Sequence, residues 1–208
     1  MQSDADLLEA WREGGRSAGE RLLLRYQDKL FRFFDLRVSL DAEDLTQRTL
    51  LAVAERRDEI RSAASFRSFL FGVARHILLE HMRERSRNDR ARDFSDVSGV
   101  DPGPSPSRVV AASEEQRLLL RVLQQLPLET QLLLELHYWE AMPTREIGDA
   151  LGVPKSTVTT WLHRARFELR EAIGKIGARE SARTALANDL ERWATSLREL
   201  EAHYPGER

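Results

Sequence analysis

Thr144-Arg-Glu-Ile-Gly-Asp-Ala-Leu-Gly-Val-Pro-Lys-Ser-Thr-Val-Thr-Thr-Trp-Leu-His-Arg-Ala-Arg166 holds two helical patterns separated by Gly152-Val153-Pro154. Ile147 and Leu151 lie one turn apart and face inward on the first helix. Gly152 admits the positive φ that ends a helix, Val153 fills the core, and Pro154-Lys155-Ser156 opens the second helix. Val158 and Leu162 anchor that helix. The pattern is a helix-turn-helix. Lys155, Ser156, Thr157, Thr159, Thr160 and His163 are left towards solvent at the N-terminal half, the part that enters a DNA major groove in this motif. Short hydroxyl side chains reach phosphates or base edges, and a helix N-terminus favours a phosphate. Arg164 and Arg166 suit backbone contacts. The other reading is a helical hairpin with solvated charges. It has no need of the turn glycine, the plug residue and the hydroxyl-rich start together.

Working outward, the same all-helical reading extends along the chain. Residues 113–151 give apolar helical faces at Leu118, Leu119, Val122, Leu123 and then Leu132, Leu133, Leu136, Trp139, with Ser113 heading the first as a capping box and Pro127 starting the second. Residues 93–112, DFSDVSGVDPGPSPSRVVAA, have no periodic apolar face and are rich in Pro, Gly, Ser and Asp, which predicts a flexible linker. Before it, Leu7, Leu8 and Trp11 form one cluster. Leu22, Leu23, Tyr26, Leu30, Phe31 and Phe34 form another, with Gly14-Gly15 between the two. Asp41 is placed as the N-cap of a helix to about Glu55 that buries Leu45, Thr49, Ala52 and Val53. Residues 56–64 read as a loop, and Ser65 as the cap of a long helix ending near Arg87. Residues 178–203 predict a further helix whose seam is Leu186, Leu190, Trp193, Leu197, Leu200 and Tyr204. The fold class is all-α: two small helical domains on a flexible linker, the second a four-helix helix-turn-helix domain, plus a C-terminal extra helix. The domains read as 1–92, 113–176 and an extension 177–208.

Composition narrows the function classes. The chain has no cysteine, so disulfides and thiolate metal sites are excluded, and its five histidines are scattered. We expect no metal, no cofactor and no catalytic site: neither a phosphate-binding loop nor a nucleophile–base constellation is visible. No stretch approaches the roughly 18–20 apolar residues of a membrane span. Acids at Asp4, Asp6 and Glu9 with no basic start are unlike a signal peptide, so a cytoplasmic protein without membrane insertion is expected. The net charge of −2 is unlike a nucleic-acid binder, but local charge decides. Residues 83–92 carry five Arg against one Glu and one Asp, and residues 155–170 carry Lys155, Arg164, Arg166 and Arg170 against Glu168.

The order of motifs supplies a resemblance. Asp41-Ala-Glu-Asp-Leu-Thr-Gln-Arg-Thr-Leu-Leu and Ser65-Phe-Arg-Ser-Phe-Leu-Phe-Gly-Val-Ala-Arg-His resemble segments of the extracytoplasmic-function sigma factors of bacterial RNA polymerase. Leu126-Pro127 with its apolar helix, followed by the helix-turn-helix, resembles the second DNA-binding domain of that family. The resemblance spans about residues 5–176. It implies core RNA polymerase and promoter DNA as partners, with an anti-sigma factor as a further candidate. It also implies that Asp44, Gln47 and Arg48 dock on polymerase; the plainer alternative for that face is a solvated polar surface. The loop 58–64, with Ile60 and Arg61, would capture a flipped base of the melted −10 strand, and the helix from Ser65 would follow that strand with Arg75, His76 and Arg83. The basic run is open to a second reading as a solvated helix end, and His76 to one as local packing. Lys155, Ser156, Thr157, Thr159, Thr160, His163, Arg164 and Arg166 would read the −35 element.

Several positions depart from the family. Ile60 stands where Phe is common, Phe69 for Trp, His76 for Asn, Gln131 for Arg, and Pro143 for a Ser cap. Thr159 and Trp161 stand where Arg is frequent, which removes bidentate guanine contacts worth about 1–3 kcal/mol of discrimination each. Trp161 reads more readily as packing than as a base contact. Two rival functions fit the same helix-turn-helix: a stand-alone regulator that binds a palindromic duplex, and a polymerase-binding interaction protein for which Lys155 and Arg164 would be dispensable.

Overall fold

The computed structural model describes residues 2–60, 62–92 and 114–175, and every regular element among them is helical. The chain divides into two compact units, Met1–Gly103 with Asp149–Gly152, and Pro104–Gly148 with Val153–Arg208. The linker 93–112, the cap at Ser113, Arg61 and the extension after residue 175 lie outside the described residues.

The first unit holds α1 (Asp4–Arg12), α2 (Arg16–Val38), α3 (Ala42–Glu55), a 3-10 turn (Arg57–Glu59) and α4 (Ala63–Arg92). Helix α1 starts on a capping box that the apolar pattern did not disclose. Asp6 N donates to Ser3 Oγ at 3.2 Å and Ser3 N donates to Asp6 Oδ2 at 2.8 Å. Asp6 is held below its ordinary carboxyl value by those bonds, the backbone one foremost. Asp4 then ties α1 to α2, accepting from Arg25 Nη1 at 2.7 Å and from the Tyr26 hydroxyl at 2.5 Å. Leu7, Leu8 and Trp11 are buried as expected, and so are Leu22, Tyr26, Leu30 and Phe34. Phe31 is turned outward, and Phe33 takes the core place instead, edge-on to Phe34 at 5.2 Å and 5.8 Å from Phe71. Tyr26 packs edge-on against Phe66 of α4 at 5.2 Å, which closes the layer.

Helix α3 falls where the sequence placed it, but its cap is different. Asp41 occupies the N-cap without a side-chain bond to the helix. Its carboxylate lies 3.3 Å from His81 Nε2 of α4 instead. Helix α4 starts earlier than Ser65. Ser62 N donates to Ser65 Oγ at 2.9 Å, and Ser65 N returns to Ser62 Oγ at 3.3 Å, so Ser62 is the cap and Ser65 the third residue of the first turn. The helix continues past Arg87 to Arg92.

The second unit holds α5 (Glu114–Gln125), α6 (Leu128–Leu134), the first five residues of α7 (Thr144–Leu151) and α8 (Lys155–Lys175), with α5 and α6 packed on α8. Leu119, Leu120, Val122 and Leu123 of α5, Leu132–Leu134 of α6, and Val158, Leu162, Ala165, Leu169 and Ile173 of α8 are buried. Helix α6 does not run straight on to Trp139. Residues Glu135–Trp139 form a π turn, in which Glu140 N donates to Glu135 O at 3.1 Å, five residues back. Ala141 then closes the turn at φ 48.

Candidate nucleic-acid interface

Two glycines make the turn between α7 and α8. Gly152 adopts φ 71, the left-handed conformation expected of it. Gly148 lies so close to the turn that a Cβ there would meet Val153 O at 2.7 Å. Val153 N donates to Gly148 O at 2.9 Å, and Val158 N to Pro154 O at 3.2 Å, so the second helix is launched from a fixed point. Val153 itself is half-buried rather than a sealed plug.

With Val158, Leu162, Ala165 and Leu169 inward, the helical period turns Lys155, Ser156, Thr159, Thr160, His163 and Arg164 to solvent, with Thr157 half-buried. The hydroxyls are already engaged. Thr159 Oγ1 donates to Lys155 O, and Thr160 Oγ1 to Ser156 O, both at 3.1 Å. A hydroxyl has one proton and two lone pairs. In this state the two threonines offer acceptors outward, suited to base amino groups, and must break the back-bond before donating to a phosphate. Arg164 Nε donates to Glu168 Oε1 at 2.9 Å, while its side chain stays 80% exposed and Glu168 Oε2 accepts from Thr130 Oγ1 at 3.1 Å.

Arg166 departs from the expectation of a phosphate contact. Its Nε donates to the Tyr138 hydroxyl at 2.6 Å, its Nη2 lies 3.4 Å from His137 Nε2, and its guanidinium sits 5.7 Å from the Tyr138 ring centre. It faces the π turn. Trp161, which the sequence reads as packing, is instead 39% exposed. Phe167 is exposed as well.

In the first unit, Asp44, Gln47 and Arg48 are exposed together on α3, with Arg48 Nη1 3.9 Å from Asp44 Oδ2. Two apolar side chains flank them that polar-face reasoning missed: Leu40 is 74% and Leu51 60% exposed. On α4, His76, Glu80, Arg83 and Arg87 recur at helical spacing and are all exposed, with His76 Nε2 3.7 Å from Glu80 Oε1. This corrects the reading of His76 as local packing. Arg75 lies off that stripe and is half-buried.

The capture loop does not present the residue expected of it. Ile60 is 1% exposed, so its side chain belongs to the core and offers no face to a base. Ser65 spends its hydroxyl on the cap, donating to Ser62 O at 2.8 Å. Among the described residues the loop surface includes an Arg56–Glu59 fork, with Nε to Oε1 at 2.9 Å and Nη2 to Oε2 at 2.6 Å, and the Arg56 guanidinium lies 5.3 Å from the Phe69 ring centre. The Arg56 bond holds Glu59 below its ordinary value, and the Glu59 bond raises Arg56. Among the described residues no cluster could hold a metal ion, and no helix is long and apolar enough to cross a membrane.

Comparison with known proteins matches each half separately. The Sigma-70 region 2 family matches residues 20–88, and the Sigma-70 region 4 family residues 116–169. The chain is 32% identical to the ECF RNA polymerase sigma factor SigL of Mycobacterium tuberculosis over 176 residues, 80% of this chain and 97% of that one. It is 28% identical to the RNA polymerase sigma factor RfaY of Xanthomonas campestris pv. campestris, over 64% of this chain but only 34% of RfaY's length. Among solved structures, the sigma factor RpoE of Bartonella quintana in complex with the anti-sigma factor NepR superimposes with a TM-score of 0.62 at 22% identity, covering 75% of this chain and 96% of that one. That likeness is one of fold.

Proposed function

Since the chain belongs to the extracytoplasmic-function class of RNA polymerase sigma factors, we propose that its two units read opposite ends of one promoter while core polymerase performs the synthesis. The division of labour follows the domains 1–92 and 113–176, with 93–112 as the tether and 177–208 as an extension. Core polymerase has no promoter specificity of its own. Two readers on one tether make the second DNA contact at high effective concentration.

The exposed stripe on α4, with Arg83 and His76, follows the melted −10 strand, where positive charge beside stacking surfaces suits single-strand binding. Arg61 and Ser65 come before that stripe in the chain. The Arg56–Glu59 fork replaces Ile60 as the outward feature of the capture loop. Lys155, Ser156, Thr157, Thr159, Thr160, His163 and Arg164 face the −35 duplex. On α3, Asp44, Gln47 and Arg48 meet polymerase. The chain supplies binding energy and strand capture; it needs no cofactor, acts in the cytoplasm where polymerase is, and catalyses nothing itself. An anti-sigma factor is a further candidate partner, as NepR is for RpoE.

The observation that carries this reading is the co-occurrence, in one chain and in order, of a region 2 match and a region 4 match, each on a unit with an outward cationic stripe. Unit-specific variants test it. With reconstituted holoenzyme on a promoter selected by the wild-type protein, Arg83→Ala with Arg87→Ala lowers permanganate reactivity of −10 thymines and spares −35 duplex protection. Lys155→Ala with Arg164→Ala does the reverse. Loss of both signals by either pair alone, or of neither, counts against separate readers.

A further inference from the structure

The π turn at Glu135–Trp139 makes no promoter contact in the proposed function, and it accounts for the odd position of Arg166. One extra residue in a helical turn rotates the succeeding residues by about 100° relative to an unbroken α-helix. Met142 N, which donates to Leu136 O at 2.9 Å, and Ala141 at φ 48 lock the displaced register in place. Two residues of the turn, His137 and Tyr138, stack edge to face at 4.7 Å, and both address the same guanidinium of α8. A guanidinium is a rigid planar fork, so the bond from Nε to the Tyr138 hydroxyl, with Nη2 lying 3.4 Å from His137 Nε2, fixes its direction. π turns inside helices are found frequently at functional sites. Here the turn aims at the helix that carries the DNA-facing side chains.

We propose that Tyr138 and His137 are positioning residues for −35 recognition: through Arg166 they set the roll of α8 about its own axis. Arg166 is a strut inside the unit, not a phosphate contact. The neighbouring tie, from Thr130 through Glu168 to Arg164, holds the same flank two residues further on. Side-chain tips lie about 5–6 Å from a helix axis, so a roll of about 10° displaces Thr160 or Ser156 by roughly 1 Å, the scale at which a preorganised contact set is lost. This inference rests on α8 being the duplex reader.

Salt dependence separates a strut from a phosphate contact. A lost phosphate contact on B-DNA lowers the slope of log affinity against log salt by about 0.9, whereas a lost positioning contact lowers affinity at unchanged slope. The test uses the full-length chain with core polymerase and a promoter duplex selected from a randomised −35 pool by the wild-type holoenzyme. Arg166→Ala and Tyr138→Phe are each expected to weaken the complex about fivefold or more, the effect of one charge-assisted hydrogen bond. The wild-type slope is retained, and preference among −35 bases flattens. The double variant is no weaker than Arg166→Ala alone. Tyr138→Phe keeps the ring and its packing, so it carries the test if Arg166→Ala unfolds on a melting curve. A slope reduced by about 0.9 in Arg166→Ala, additive effects, or wild-type binding by Tyr138→Phe would overturn the proposal. Failure of the underlying reading looks different. The wild-type protein would then select no −35 sequence, and Lys155→Ala and Arg164→Ala would leave both affinity and slope untouched.

Discussion

Single side chains carry the sharpest tests of local structure. Ala141 holds φ 48, a conformation that costs an L-residue about 1–2 kcal/mol and glycine far less. Ala141→Gly is therefore expected to raise stability by about 0.5–1 kcal/mol, glycine's own loss of freedom offsetting part of the relief; an unchanged or lowered urea midpoint contradicts this. At the head of the −10 unit, Glu59 is held below the ordinary carboxylate range by its bond to Arg56. A depressed folded pKa means the stabilisation is complete above the unfolded value and disappears as pH falls through the folded one. The pair is exposed, so the direct readout is titration: the Glu59 carboxyl should titrate lower in the wild-type protein than in Arg56→Ala. Equal titration would show that the fork does not persist in solution. The sequence disclosed which residues of α8 face outward because buried positions recur at a fixed period. It could not disclose that Arg166 points back at Tyr138, since period alone says nothing of a long side chain's partner. Ile60 misled for a related reason. A position in a loop carries no periodic mark of burial, and only the folded neighbours make it core.

At the level of elements, the turn between α7 and α8 leaves no room for a side chain at Gly148. A methyl group at Gly148 would meet the Val153 carbonyl at 2.7 Å, and relieving it opens the Val153 N–Gly148 O bond. Gly148→Ala should cost about 1–3 kcal/mol and weaken −35 binding, read as a lowered unfolding midpoint with impaired duplex protection. A wild-type midpoint would mean the turn is looser than its geometry implies. On α3 the expectation is opposite in kind. Leu51 is 60% exposed beside Gln47 and Arg48, so Leu51→Ala should change stability by less than about 0.5 kcal/mol while weakening capture by core polymerase in a binding titration. Loss of stability with unchanged capture would reassign Leu51 to packing. Helix identities, including α3 and the helix-turn-helix, were legible from apolar period and caps. The π turn was not, because Leu132, Leu133, Leu136 and Trp139 suit an α-helix equally well and no residue type announces an extra residue in a turn. The cap of α4 lies three residues before the one the sequence suggests. Ser62 and Ser65 are both competent caps, and only their reciprocal bonds show which one serves.

For the whole molecule, net charge is a poor guide and its distribution a good one. The chain carries −2 overall, yet the exposed stripes of α4 and α8 are cationic, and acidic residues outnumber basic ones in the sequence between them, 93–114. Order was informative in the same way. A helix-turn-helix says only that DNA is bound, whereas the same motif following a region 2 segment places the chain in a family that works with polymerase. In the partnership proposed above, the protein supplies specificity and polymerase supplies the chemistry. Transcription on a promoter-bearing template with purified core polymerase, run with and without the full-length chain, tests this most directly. RNA starting at discrete positions only when both are present is the predicted result. An identical transcript pattern with and without the chain would contradict it.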